Sequence, residues 1–331
     1  MPTAVIRGTG HYTPETVMTN ADFERIVDTT SEWILERTGI RERRILNGSG
    51  DFGNSDMAVA AAKDALKEAG LKPADLDGII VGTVTPDKLL PSTAAIVQRK
   101  LGAGRAMVMD VVAACAGFLY GMSVARAFIE CGTHRCILVI GVEHLSTITN
   151  YKDRNTCILF GDGAGAAVFT PSQPGEDGRG VLSTYMSGDG RYEDLLHIAI
   201  GGSRAPLTRE TVDDPGRYIT MDGREVFKLA VREMADAAER VLKEAGVHSD
   251  EVDLLIPHQA NERIIQALGR KMGFGSDRVY RNIERLGNTS SASVPIALDE
   301  ARQAGLISEG SLVLSVAFGG GLVWGAALYR L

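Results

Sequence analysis

The sequence predicts an α/β fold built from two similar halves, and three observations lead there. The segment LKEAGLKPADLDGIIVGTVTP, from Leu66, returns as LKEAGVHSDEVDLLIPHQANE, from Leu242, at an offset of 176 residues that holds without a gap to Asp77 and Asp253. Each copy reads as a helix end, a glycine turn, an acidic linker and a short apolar strand. A second pair, CILVIGVE from Cys136 and SLVLSVAFGGG from Ser311, lies at an offset of 175. Within each half, helical patterns alternate with short apolar runs, which is the pattern of buried sheets covered by helices.

The bulk numbers bound the function. With 331 residues, 44% hydrophobic and 23% charged, the chain has the profile of a globular protein of one large or two ordinary domains. A net charge of −7 argues against nucleic acid as a partner, so any acidic partner has to be met by a local basic patch. The N-terminus MPTAVIRGTG has no apolar core behind a charged flank, and Val111–Ala125 is too short for a membrane span of about 20 residues. Four cysteines in so long a chain do not make a disulfide framework, so a reduced, cytoplasmic protein is expected.

Along the chain, RAMVMDVV reads as a strand, and GFLYGMSVARAFIECG as a helix with Phe118, Met122, Ala125 and Ile129 on one side. Cys115 falls in the turn between them. The free N–H groups and positive dipole end of the following helix favour a thiolate there, although a cysteine among alanines and glycines also suits a buried small hydrophobe. GDGAGA, Gly161–Ala166, has the glycines of a dinucleotide loop but runs on into the strand-like AVFTP instead of a helix, so it is not one. Cys131, His134 and Cys136 lack a zinc spacing, and no metal site is expected. The Pro- and Gly-rich stretch Pro171–Gly180 reads as the joint between halves, giving units at residues 1–172 and 173–331. Gly201–Gly216 reads as a long loop.

In the second half, His258 stands where the first half has Gly82, at the end of a buried strand, which is where open α/β sheets place ligands. By itself it is either a satisfied structural histidine or acquired chemistry. Asn288, in LGNTSSAS, is either a turn residue or a polar contact. The run Gly319–Gly321 is either a hairpin turn or a place where backbone N–H groups approach a reacting carbonyl.

Taken together, AACAGF around Cys115, PHQAN around His258, GNTSSAS around Asn288, FGDGAGA and FGGGL resemble the thiolase superfamily, and within it the β-ketoacyl-acyl-carrier-protein synthase III family. The segment TTSEWILERTGIRERR (Thr29–Arg44) is similar to that family's coenzyme A region, and the match runs end to end. The resemblance implies a duplicated, five-layered αβαβα fold and a homodimer. It implies that Cys115 takes an acyl group from acyl-CoA while the backbone N–H groups of Cys115 and Gly320 hold the oxyanion. His258 and Asn288 then bind the thioester carbonyl of malonyl-acyl carrier protein during decarboxylation. Trp33 and Arg154 are expected at the adenine of coenzyme A, Thr29, Arg37 and Asn261 along the rest of it, and Gly223 and Phe227 along the tunnel. Coenzyme A is then a substrate carrier, with no further cofactor.

Two finer expectations follow from the resemblance. Leu90, in DKLLPSTAA, stands where straight-chain members often carry a phenylalanine that closes the acyl pocket from the partner subunit. Arg263, Arg270 and Lys271 share one helical face just after His258, with Lys228 and Arg232 extending it, as a docking patch for an acidic carrier protein. Two other readings are a condensing enzyme or acyltransferase of a polyketide- or quinolone-type pathway, and an inactive subunit that only binds a carrier protein.

Overall fold

The computed structural model describes residues 2–47 and 52–331. A five-stranded sheet carries, in spatial order, Ala4–Tyr12, Gly163–Pro171, Ile137–Glu143, Gly78–Gly82 and Met107–Val111. A four-stranded sheet carries Gly180–Gly188, Val323–Arg330, Leu312–Gly319 and Leu254–Pro257. Read in that order, the directions also match. In each sheet the first two pairs are antiparallel and the third is parallel. The place of the fifth strand in the second sheet is marked by the single parallel bridge between Leu255 and Val279. The chain passes from one sheet to the other between Pro171 and Gly180.

Strand periodicity fixes the layers. Ile137 and Val139 face one way and join the cluster that also holds Val313 and Ala317 of the other sheet. Between the two sheets lie the helices Gly117–Glu130 and Ser293–Gln303, which contribute Phe118, Leu119, Met122, Val294, Ala297 and Leu298 to that cluster. Leu138, Ile140 and Val142 face the other way, onto the helices Asn54–Ala69 and Thr93–Leu101. Leu312, Leu314 and Val316 face the helices Gly223–Ala245 and Glu262–Met272. Helix, sheet, helix pair, sheet and helix make five layers, the thiolase-like αβαβα order, because the inner strands of both sheets are buried on both faces and need cover on both.

The repeat is visible atom by atom. Gly70 and Gly246 cap their helices in the left-handed conformation (φ 66° and 68°), their N–H groups donating to Leu66 and Leu242. The second sequence pair shifts by one residue in three dimensions. Gly78 pairs with Ile137 and Leu254 pairs with Val313, so Ile137 matches Val313 at 176, not Leu312 at 175. A slip of one would turn each side chain to the opposite face. The same offset maps the short turn Ala114–Ala116 onto Ser290–Ala292, and the left-handed Ala114 (φ 42°) onto Ser290 (φ 48°). GDGAGA opens the strand Gly163–Pro171, where a Cβ on Gly165 would lie 2.6 Å from the Ile296 nitrogen, so its glycines let a central helix seat on the sheet.

Candidate active site

Cys115 sits in the Ala114–Ala116 turn between the strand Met107–Val111 and the central helix Gly117–Glu130, and is 9% exposed. The close neighbour is the glycine run. A Cβ on Gly319 would lie 2.6 Å from the Cys115 nitrogen, so only glycine lets this strand end lie against the turn. Among the described residues, neither the Cys115 nor the Gly320 N–H has a backbone acceptor. Burial pushes the Cys115 thiol up to about 12, against the pull of the Ser290 hydroxyl. Desolvation of the anion therefore works against the expected thiolate, which the helix end favours.

His258 follows the strand Leu254–Pro257, and its N–H donates to the Val316 carbonyl at 2.7 Å. Its Nδ1 lies 2.6 Å from the Ser293 hydroxyl, on the first turn of the other central helix. Burial lowers the ring to about 3, so it is neutral at any working pH. Asn288 is held on three sides. Its N–H donates to Leu159, its carbonyl accepts from Gly161, and its side-chain oxygen accepts from the Ser290 N–H at 2.8 Å. That leaves the amide NH₂ without a protein partner among the described residues. The site therefore holds a thiol, two uncharged groups able to donate, and two unbonded backbone N–H groups. Such a set suits acyl transfer, in which charge develops on a carbonyl oxygen.

A second group lies on the helix Ser31–Thr38 and its neighbours. The guanidinium groups of Arg154 and Arg37 stand 4.5 Å and 5.3 Å from the centre of the Trp33 ring. Asn261 caps the helix Glu262–Met272 and donates from its side chain to the Arg37 carbonyl at 3.0 Å. The buried Thr29 hydroxyl has no partner. Phe227 packs on the same apolar cluster as Trp33, and Gly223 opens the helix Gly223–Ala245 behind the Asp222 cap. Arg154 also lies 3.7 Å from Asp28.

The expected five-cation patch is narrower than its sequence. Arg263, Arg270 and Lys271 are exposed on one helix, but Lys271 pairs with Asp236 at 3.5 Å, Lys228 with Glu225 at 2.7 Å and Arg232 with Glu233 at 2.5 Å. Arg263 and Arg270 have no carboxylate partner among the described residues. Leu90 is 85% exposed, outside the interior of its own chain, and Leu89 and Val112 are exposed as well. Ser290 and Ser293 are functional neighbours that sequence reasoning passed over, and Gly319 of the expected glycine run is the residue that meets Cys115. The 176-residue offset was the available signal, since it sets Ser290 against Ala114 and Ser293 against Gly117.

Known proteins resemble this chain in both sequence and fold. A family model described as 3-oxoacyl-[acyl-carrier-protein] synthase III matches residues 109–190, and the model of its C-terminal part matches residues 242–331. The β-ketoacyl-[acyl-carrier-protein] synthase III of Caldanaerobacter subterraneus is 51% identical over 99% of this chain and 97% of its own. The crystal structure of 3-oxoacyl-[acyl-carrier-protein] synthase III from Aquifex aeolicus superposes with a TM-score of 0.91 at 48% identity, over 99% of this chain and 100% of that one. The priming β-ketosynthase of the R1128 polyketide pathway superposes with a TM-score of 0.91 at 36% identity, over 100% of this chain and 96% of that one.

Proposed function

The chain belongs to the 3-oxoacyl-[acyl-carrier-protein] synthase III family, the condensing acyltransferases that initiate type II fatty-acid synthesis, and from that premise we propose how its own residues carry the reaction. Cys115 attacks the carbonyl of an acyl-CoA, and the N–H groups of Cys115 and Gly320 hold the oxyanion. The thiol's proton ends on the departing coenzyme A sulfur, so acyl-Cys115 forms without a net change of charge. Malonyl-acyl carrier protein then binds with its thioester carbonyl against His258 and Asn288. Carbon dioxide leaves, the enolate attacks acyl-Cys115, and a β-ketoacyl-acyl carrier protein departs while the sulfur regains a proton from water. The observation that carries this is the set of neutral donors. An enolate oxygen in a buried site is best met by groups that give hydrogen bonds without first losing charge. For Nε2 of His258 to donate, the Ser293 hydroxyl must donate into Nδ1, and the 2.6 Å contact allows it.

Coenzyme A lies along Thr29, Trp33, Arg37, Arg154, Asn261, Gly223 and Phe227. The Trp33 ring with a guanidinium 4.5 Å away supports a stack for a flat base. The unpartnered Thr29 hydroxyl supports a polar contact there. The protein acts as a cytoplasmic homodimer. Four free cysteines suit a reducing compartment, and Leu89, Leu90 and Val112 are large apolar side chains left exposed, which suits burial by a second copy. Leu90 then closes the partner's acyl pocket. The R1128 enzyme makes a starter unit for a polyketide a second reading, since the same donors serve either product.

Incubating the protein with a panel of acyl-CoAs and malonyl-acyl carrier protein, and weighing the products, tests the whole reading. The expected products are β-ketoacyl-carrier proteins carrying starters longer than acetyl as well as acetyl. Leu90→Phe in the same panel shifts the preference toward acetyl, and an unchanged preference removes Leu90 from the pocket. The carrier-protein surface has its own test. Arg263 pairs with no carboxylate among the described residues, so Arg263→Glu raises KM for malonyl-acyl carrier protein by about tenfold or more in low salt, less in high salt. Acylation by acyl-CoA changes little, because no carrier protein takes part. Equal damage to both half-reactions would assign Arg263 to the coenzyme A tunnel or the fold.

A further inference from the structure

Glu143 is a fully buried carboxyl that the reaction as described does not use. It ends the strand Ile137–Glu143 and stands, at the offset of 176, where the second half has Gly319. In the second half that strand end is bare, and the Cys115 turn rests on it. In the first half it carries a side chain, and the Ser290–Ala292 turn rests on that instead.

The bonding around the carboxyl is fully specified. One oxygen accepts from the Thr83 hydroxyl at 3.2 Å, the Val84 N–H at 3.1 Å and the Thr85 hydroxyl at 2.7 Å. Those two hydroxyls already accept, Thr83 from the Asn54 side chain and the Thr85 N–H, Thr85 from the His144 N–H. Their own hydrogens are therefore left for Glu143. The other oxygen meets the Ser290 hydroxyl at 3.2 Å. Ser290 is left-handed at φ 48°, a backbone that glycine adopts at less cost, so the side chain there has to repay the strain. Its N–H is the group that fixes the oxygen of the Asn288 amide at 2.8 Å and so turns the NH₂ outward. Burial raises Glu143 to about 7 against the pull of these donors, in keeping with a carboxyl retained for what it holds.

We propose that Glu143 is a positioning residue for the decarboxylation step, holding the Ser290 turn so that Asn288 presents its amide NH₂ to the malonyl thioester. The inference rests on the role assigned to Asn288 above. It predicts a split between half-reactions that loss of folding would not give. The Cys115 and Gly320 N–H groups bond to none of Glu143, Ser290 and Asn288, although the Ser290 hydroxyl also faces the Cys115 thiol.

The test measures acylation of Cys115 by acetyl-CoA and decarboxylation of malonyl-acyl carrier protein separately, with a melting temperature for each variant. Ser290→Gly keeps the backbone conformation and removes the hydroxyl. It is expected to lose about 10–100-fold in decarboxylation and clearly less in acylation, where only its contact with the Cys115 thiol is lost. Glu143→Leu gives the same split, and Glu143→Gln, whose amide can still meet both the threonines and Ser290, recovers most of the loss. If Glu143→Leu does not fold, Ser290→Gly decides alone. The double variant Asn288→Ala/Ser290→Gly falls no further than Asn288→Ala, because the two act through one hydrogen-bond donor. Wild-type decarboxylation in Ser290→Gly, or equal loss in both half-reactions, overturns the inference. Wild-type decarboxylation in Asn288→Ala instead overturns the reading on which it rests.

Discussion

Cys115→Ser leaves no acyl-enzyme: acylation by acyl-CoA falls by about 10⁴-fold or more, and intact-mass measurement finds the unmodified chain. A serine hydroxyl is a far weaker acid than a thiol. The His258 ring, held near 3 by burial, is no base. In the wild type one acyl group per chain maps to Cys115. The other cysteines are controls of known environment. Cys131 is exposed, whereas Cys136 and Cys157 are buried with thiols pushed up to about 12 and about 11. Cys115 alone of the four is shown against Gly319, next to the Gly320 N–H that has no backbone acceptor among the described residues. Acylation of Cys131, Cys136 or Cys157 in place of Cys115 would remove the nucleophile from this scheme.

His258→Ala and Asn288→Ala accept the acyl group and then stop. Each loses one donor to the developing enolate, and loss of one such donor costs about 10²–10³-fold in rate. Acylation uses the backbone N–H groups of Cys115 and Gly320, which neither substitution removes. Decarboxylation of malonyl-acyl carrier protein, followed as released carbon dioxide, therefore falls steeply while the mass shift on Cys115 persists. His258→Ala also frees the Ser293 hydroxyl, so its melting temperature is measured alongside. A folded variant that cannot be acylated would assign its missing residue to the first half-reaction.

Much of this was legible in the sequence for definite reasons. The repeat at 176 implied a duplication because a helix end, a glycine cap and a buried strand each leave a local mark. It also singled out His258, by setting it against Gly82. Cys115, Asn288 and Gly320 could be read only through family likeness, since a lone cysteine, a turn asparagine and a glycine run each have an ordinary structural use. The protonation of Cys115 was not legible. Helix-end position is a local property, whereas desolvation depends on everything packed around the sulfur, and here it pushes the thiol up. The docking patch fared similarly. Helical spacing put Arg263, Arg270 and Lys271 on one face, but the Asp236 carboxylate that pairs with Lys271 comes from another helix.

What the sequence determined by itself is therefore the periodic and the local: two halves, the order of helices and strands, the glycine caps, and the residue types available for chemistry. What only the tertiary structure decided is which of them meet. The one-residue shift that matches Ile137 with Val313 comes from ladder pairing between distant strands. The contacts of Gly319 with Cys115, of Ser293 with His258 and of Glu143 with Ser290 join residues 204, 35 and 147 positions apart. Hydrogen bonds and desolvation act over a few ångströms in space and are blind to separation along the chain. A site assembled across two halves leaves its components in the sequence, and its geometry only in the fold.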